Sequence, residues 1–316
     1  MTGWLDTLQS AAGKDGQQSA FVWELFAIFL TVTALFYLAV ILFLLWAIVR
    51  RRRGEEPRGD RGLRTALVGW VGLIALTLAG LTLATWVYDR DLARAADAPA
   101  LEIEVTARQW WWDVRYADDD ADRIFRTANE LHLPAGIPVH ITLRSNDVIH
   151  SFWIPNLAGK QDMIPGRVSD LSIRPLREGL FRAQCAEFCG LQHARMALDV
   201  TVESPAAFAA WREAQLRPAA APAAALEAAG HALVTGRQCA SCHMIAGTSA
   251  AGQVAPDLTH FASRRTIAAG TLEMNRANIA AWIADPQRPK PGNNMPKVPL
   301  SPAELDAVVA YLETLR

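Results

Sequence analysis

Cysteine is scarce in this sequence, and neither sign of charge is in excess. The 316-residue chain has four cysteines, which fall in two short motifs, Cys185 to Cys189 and Cys239 to Cys242. The formal net charge is −1, so no basic excess points to a nucleic-acid partner. No internal repeat is present. Because the few cysteines are grouped with histidine and methionine, they indicate metal sites.

Charged residues are also missing from two long stretches, Leu25–Val49 and Thr65–Tyr88. At about 1.5 Å rise per residue, each can cross a hydrocarbon core of about 30 Å as a helix. A buried core helix is the alternative, but two uninterrupted runs favour membrane spans. The first stretch is too long for a signal peptide, and residues 1–20 lack a basic head. The sequence therefore predicts a two-helix transmembrane hairpin within residues 1–97.

The segment between the two stretches is basic, with Arg50–Arg53 followed by Arg58, Arg61 and Arg64. Neither outer flank is comparably basic, so the positive-inside rule puts this segment in the cytoplasm. We therefore expect a multi-pass protein of a bacterial inner (plasma) membrane. Both termini and everything after Asp89 then lie on the periplasmic or outer face.

The remaining sequence predicts two further domains joined by a linker. Residues 98–215 combine short alternating runs with frequent turns, which favours an all-β sandwich or barrel. Residues 216–225 are rich in alanine and proline and indicate a linker of intermediate stiffness. Residues 226–316 have a helical period and predict a small all-α domain, with helices at Asn278–Asp285 and after the capping residue Ser301. The predicted strands are Leu101–Arg108, Trp110–Tyr116, Glu130–Leu133, Val139–Arg144, Val168–Ile173, Gly179–Gln184 and Met196–Val202.

The first cysteine motif has the ligand types of a binuclear copper site. Such a site needs two bridging thiolates, one histidine per metal and weak axial donors. The chain offers these groups at Cys185, Cys189, His193, Met196, the Glu187 carbonyl and His150. Tetrahedral zinc and a local disulfide are the alternatives. Zinc would gain nothing from the methionine, and a disulfide would leave both histidines unexplained.

The second motif, Cys239-Ala-Ser-Cys242-His243, is the attachment signature of a c-type haem. The two cysteines would form thioether bonds and His243 would bind the iron; a chance match or a disulfide is the alternative. A second iron ligand is expected downstream, and methionine opposite histidine raises the reduction potential. We predict Met295, which lies in a loop before the terminal helix. Met274, in its polar stretch, and His260 are the alternatives.

Residues 20–203 resemble subunit II of the haem–copper cytochrome c oxidases, which is a membrane hairpin followed by a cupredoxin domain with a copper-A centre. Four stretches carry the resemblance: Gln109–Trp112, His150–Leu157, Lys160–Arg167 and Gln184–His193. It implies the copper ligands His150, Cys185, Glu187, Cys189, His193 and Met196. It also implies a magnesium ion at the Glu187 carboxylate, on the border with subunit I. Trp110 takes the position through which electrons reach copper-A, although an ordinary core role is the alternative.

Residues 226–316 resemble class I cytochromes c, including a Pro256 carbonyl placed to hold the His243 imidazole. A subunit II fused to such a domain is the pattern of caa-type oxidases. The resemblance implies that electrons pass from a cytochrome c-type donor through haem c to copper-A. From there they reach the haem centres of subunit I, where oxygen is reduced to water in a proton-translocating enzyme. Subunits I and III are the implied membrane partners, and the oxygen site is not on this chain.

One feature departs from the family pattern. Many members have a glutamate at the start of the second span, whereas residues 61–70 here contain no acid. Proton uptake at this position is therefore not expected. The missing acid leaves open the alternative that this chain is the copper-A subunit of a nitric oxide reductase. A further alternative is a free-standing, membrane-anchored electron carrier, although a simple membrane anchor would need only one span.

Overall fold

Two long apolar helices form one of the two compact units of the chain. The computed structural model describes residues 8–52, 60–95 and 100–316. Within it, α1 is Gln17–Arg52 and α2 is Asp60–Ala95. Both are long and apolar enough to cross a membrane, and the most apolar stretch of each is not buried against protein.

The two helices run antiparallel. Aromatic pairs join them at ring-centroid distances of 5.7 Å for Phe21 with Tyr88 and 6.0 Å for Phe36 with Trp70. The predicted two-helix hairpin is therefore confirmed. Both helices extend beyond the predicted spans, because the prediction followed the absence of charge, whereas a helix continues through polar residues at either end. Of the basic segment, Arg53 and Arg58 lie outside the described residues.

The second unit contains a β-sandwich built from two five-stranded sheets. The first sheet has the order β3-β2-β1-β5-β8 and the second β4-β10-β9-β6-β7. The strands are β1 Leu101–Arg108, β2 Trp111–Tyr116, β3 Phe125–Ala128, β4 Glu130–Pro134, β5 Val139–Ser145, β6 His150–Trp153, β7 Gln161–Met163, β8 Ser169–Ile173, β9 Gly179–Cys185 and β10 Ala197–Glu203. One apolar side of each strand faces a shared core, which includes Trp112, Leu131, Ile141 and Phe152. This alternation is what the sequence showed, and the predicted sandwich is confirmed.

The sequence missed four elements of this region. The short strands β3, β6 and β7 have too few residues to show a clear period. The prediction of an all-β segment is also wrong at its end, because α3, Pro205–Gln215, is a helix. Ser204 caps it by accepting a hydrogen bond from the Ala207 amide, and proline opens its first turn. Trp110 lies in the turn before β2 rather than in the strand.

The C-terminal part of this unit is helical, as predicted. Its helices are α4 Ala225–Gly236, α5 Arg276–Ala284 and α6 Pro302–Leu312, with one small hairpin of β11 Thr266–Ile267 and β12 Leu272–Glu273. The predicted capping box at Ser301 and Glu304 is present at the start of α6. Helices α4 and α6 cross closely at Gly230, where an added Cβ would lie 1.9 Å from the Ala307 carbonyl oxygen.

The predicted linker and the residues before α1 each contact one of the two domains. The predicted linker begins against the helical domain, because the Ala219 amide donates to the Ala246 carbonyl at 2.9 Å. Before α1, the carboxylate of Asp15 accepts hydrogen bonds from Arg177 at 2.7 Å and Asn156 at 3.0 Å. Asp15, just before α1, thus contacts the sandwich within the same unit.

Candidate redox centres

The two cysteines of the first motif are brought together at the end of β9. The sulfurs of Cys185 and Cys189 lie 3.7 Å apart, and both side chains are buried and unbridged. A disulfide requires about 2.05 Å between sulfurs, so this pair is not bonded. Metal–thiolate bonds of about 2.3 Å allow one ion to touch two sulfurs at this separation. The pair fits a shared metal.

One histidine lies beside each sulfur. The Nδ1 atom of His150, at the start of β6, is 3.7 Å from the sulfur of Cys185. The Nδ1 atom of His193 is 3.6 Å from the sulfur of Cys189. Strand β6 and the segment at the end of β9 therefore give each half of the site one thiol and one imidazole, a symmetric set that could hold two ions.

Two weaker donors complete the cluster. The thioether sulfur of Met196 is 3.9 Å from the sulfur of Cys189, and the Glu187 carbonyl oxygen is 3.2 Å from the sulfur of Cys185. The structure therefore places all six predicted copper ligands in one group. A soft set of two thiolates, two imidazoles and a thioether fits copper better than a structural zinc ion.

The protonation of the thiols already favours metal binding. A hydrogen bond from Cys189, followed by one from His150, holds the pKa of Cys185 well below its usual range. The hydrogen bond with Cys185, followed by burial, raises the pKa of Cys189. A thiolate is the form that binds a metal ion, so the lowered pKa of Cys185 favours metal binding.

Asp147 orients His150, a contact that the sequence did not predict. The Nε2 atom of His150 is 2.8 Å from Asp147 Oδ1. Burial alone would lower the pKa of His150, but the hydrogen bonds with Asp147 and Cys185 outweigh it and raise that pKa. Metal-binding histidines commonly donate their second N–H to a carboxylate, which fixes the ring and its tautomer. The only sequence signal was an aspartate three residues before the histidine.

Trp110 is hydrogen-bonded to the loop between Cys185 and His193. Its indole Nε1 donates to the Cys189 carbonyl at 2.9 Å, and the Gln109 side chain donates to the same oxygen at 2.7 Å. Trp112, in contrast, is fully buried in the sandwich core. The Glu187 carboxylate is exposed and accepts from the Phe188 amide at 3.3 Å; magnesium at this group stays a prediction.

The haem motif lies in a tight turn after α4. The His243 amide donates to the Cys239 carbonyl at 2.9 Å, and both thiols of the motif are unbridged and half-buried. His243 Nδ1 lies 2.7 Å from the Pro256 carbonyl oxygen, which confirms the predicted contact. Because this contact uses Nδ1, Nε2 is left for iron. Burial lowers the pKa of His243, so the neutral ring that binds metal is favoured. The residues fit a covalently attached haem.

The alternatives to Met295 have other partners. His260 Nε2 lies 3.2 Å from the Gln215 carbonyl oxygen and 3.1 Å from that of Arg217. Met274 packs against the core of the helical domain. Met295 lies in the loop between α5 and α6, where its amide donates to the Asn293 side chain at 2.8 Å. Its role as the second iron ligand stays a prediction.

The same loop reaches the sandwich near Trp110. The Asn294 side chain donates to the Gln109 carbonyl at 3.0 Å, and the Gln192 side chain donates to the Pro291 carbonyl at 2.6 Å. The loop that carries Met295 therefore contacts both the turn of Trp110 and the copper-binding segment. These contacts could not be read from the sequence, because they join residues far apart in the chain.

Both domains are similar in sequence to known protein families. Residues 118–203 match the family described as cytochrome c oxidase subunit II, periplasmic domain, and residues 227–316 match the cytochrome c family. A cytochrome c oxidase subunit 2 of Alkalihalophilus pseudofirmus is 31% identical, covering 97% of this chain and 91% of that protein. One from Bacillus subtilis is 32% identical, covering 86% and 82%. The crystal structure of the periplasmic domain of subunit II from Bradyrhizobium japonicum is 29% identical with a TM-score of 0.36, covering 38% and 96%.

Proposed function

Because this chain belongs to the cytochrome c oxidase subunit II family, we propose that it passes electrons from a cytochrome c-type donor through haem c to copper-A. They would continue to the haem centres of subunit I, where oxygen is reduced to water. Family membership makes the chain an electron-transfer subunit of an oxidase and implies copper-A, haem c and a partner subunit I. The route, the donor and subunit III belong to the proposal.

The observation that carries this proposal is the single cluster of donor atoms around Cys185 and Cys189. In this site, bound copper would supply a one-electron redox change shared over two ions. The proposed ligands are His150, Cys185, Cys189, His193, Met196 and the Glu187 carbonyl. Cys239 and Cys242 would attach the haem, and His243 with Met295 would bind its iron. The buried cysteines and histidine would exclude water, and the fixed loop would limit ligand movement.

The proposed path between the centres uses the indole of Trp110. Its hydrogen bond to the Cys189 carbonyl connects the turn at Gln109 with a proposed copper ligand. On the other side, Asn294 connects that turn with the loop that carries Met295. A continuous series of covalent bonds and hydrogen bonds thus joins the proposed copper ligand Cys189 to the proposed iron ligand Met295.

We also propose a plasma-membrane location with both redox domains and both termini on the periplasmic face. The support is that residues just before α1 are attached to the sandwich, through Asp15 with Arg177. The basic end of α1 would lie in the cytoplasm. We assign the complex to the proton-translocating class. Residues 61–70 offer no carboxylate for proton uptake, and magnesium at Glu187 is likewise part of the proposal only.

The test of the path is Trp110→Phe in the assembled oxidase. Phenylalanine keeps an aromatic ring but removes the hydrogen bond to Cys189, so transfer from haem c to copper-A should slow while both spectra persist. The measurement is flash-induced reduction of copper-A, recorded with a melting curve. Trp111→Phe is the control, because Trp111 stacks near Arg108 at 5.6 Å instead. A wild-type rate in a destabilised Trp110→Phe protein would assign Trp110 to packing alone.

A further inference from the structure

Lys290 is a buried lysine in the loop between α5 and α6 of the haem domain. Its side chain is almost inaccessible, with 2% of the residue exposed. The Nζ atom donates to three backbone carbonyls: Trp110 at 2.8 Å, Arg195 at 2.7 Å and Ala268 at 2.9 Å. Two of these carbonyls belong to the sandwich and one to the haem domain.

Three acceptors at hydrogen-bond distance use every N–H bond of an ammonium group. A buried lysine without such partners would carry a large desolvation penalty. Burial, followed by the charge of Arg195, lowers the pKa of Lys290 to about 7. The carbonyl oxygens compensate for the lost water. Removing the lysine would take away the donor to the Trp110 and Arg195 carbonyls, whereas the Ala268 carbonyl also accepts from the Thr271 hydroxyl at 2.7 Å.

The position of these carbonyls gives the contact its significance. Trp110 is the proposed route for electrons into copper-A. Arg195 directly precedes Met196, a proposed copper ligand. Lys290 itself lies five residues before Met295, the proposed iron ligand. One Nζ group therefore joins the loop that carries Met295 to the segment before Met196 and to the main chain of Trp110.

We infer that Lys290 is a positioning residue that fixes the haem-domain loop against Trp110 and thereby sets the rate of electron transfer between haem c and copper-A. This inference rests on the proposed function. Contacts on both sides of the lysine support it. The Arg195 guanidinium donates to the Pro289 carbonyl at 2.5 Å, and Gln192 donates to the Pro291 carbonyl at 2.6 Å. The loop is thus held on either side of the ammonium.

The first test needs no metal and uses amine labelling of the full-length protein. The chain has four lysines, of which Lys297 is in the same loop with 65% of its side chain exposed. Amine reagents attack the uncharged amine, so an accessible lysine with a pKa near 7 would be the most reactive. Lys290 should instead be modified at least about tenfold more slowly than Lys297, because only open states expose it. Equal labelling of the two lysines would overturn the inference.

The second test is kinetic and uses Lys290→Met in the assembled oxidase. Methionine keeps the unbranched shape but donates no hydrogen bond. Transfer from haem c to copper-A should slow by at least about tenfold, because the docked arrangement loses the hydrogen bonds from Nζ to three carbonyls. Reduction of the haem by an external donor and both spectra should be unchanged. Lys290→Gln, which keeps two N–H donors, should give a smaller loss.

Lys297→Met is the matched control, since it removes a positive charge from the same loop and should leave the rate unchanged. A Lys290→Met rate within about twofold of wild type, with normal spectra, would refute the positioning role. If neither Lys290 variant folds, the labelling ratio decides. Failure of the proposed function is distinguishable, because the wild type would then lack copper-A or haem c spectra while its labelling pattern could still be measured.

Discussion

Replacing Asp147 should weaken copper binding without touching a proposed ligand. Asp147 Oδ1 lies 2.8 Å from His150 Nε2, and its Oδ2 accepts from the Gln109 amide at 2.6 Å. These hydrogen bonds outweigh the effect of burial and lower the pKa of Asp147, so the group is a carboxylate at neutral pH. The Asp147 carboxylate therefore orients the His150 ring through a charge-assisted hydrogen bond. It also connects that ring to the turn formed by Gln109 and Trp110.

The expected loss of copper affinity depends on which contact to His150 each variant retains. Asp147→Asn keeps a neutral acceptor for His150 but loses the charge, so copper affinity should fall by about tenfold, or about 1.4 kcal/mol. Asp147→Ala removes the acceptor entirely, and the loss should approach about 100-fold, or about 2.8 kcal/mol. The assay is titration of the full-length protein with copper against a competing chelator. The absorption of the bound copper reports occupancy.

Asp170→Asn is the control for this experiment. Its carboxylate is 72% exposed and lies 3.8 Å from the ring of His140, which is not a proposed ligand. Copper affinity should not change in this variant. If Asp147→Ala retains copper as tightly as wild type, Asp147 does not orient a ligand and the assignment of His150 loses its main support.

Two further predictions concern the haem domain. Met295→Ala should keep the haem attached but lower its reduction potential, since a harder ligand replaces sulfur; an unchanged potential in redox titration would make Met274 the ligand. Gly230→Ala should lower the free energy of unfolding by at least about 2 kcal/mol, because its Cβ would collide with α6. In Gly236→Ala, in the same helix, the added Cβ meets open space, so this control should be neutral or slightly stabilising in the same thermal melt. Equal losses of stability in the two variants would contradict the close crossing of α4 and α6.

Much of the proposed site was predictable because its ligands are close in sequence. Cys185, Cys189 and His193 recur every four residues, so one loop can carry them. His150 needed a resemblance as well, since only the fold brings β6 beside β9. The haem motif was predictable for the same reason, because its residues are contiguous in the sequence. The contact between His243 and the Pro256 carbonyl was also predicted correctly.

The rest could not be predicted, because it depends on contacts between distant segments. Lys290 has no local feature that separates it from an exposed loop lysine, and its three carbonyl partners lie 22, 95 and 180 residues away. The helix α3 was missed because a short alanine-rich segment after a strand was assigned to the β-domain. The membrane helices were predicted in type but not in length, since charge alone does not end a helix.

Metal and haem content measured on the purified full-length protein tests the central claim most directly. The two ligand groups share no cysteine, so each chain should contain two copper ions and one covalent haem. Elemental analysis and a pyridine haemochrome assay give the counts. Electron paramagnetic resonance of the oxidised protein should show one unpaired electron shared over two coppers. One zinc ion and no copper, or a haem released by denaturation, would contradict the account.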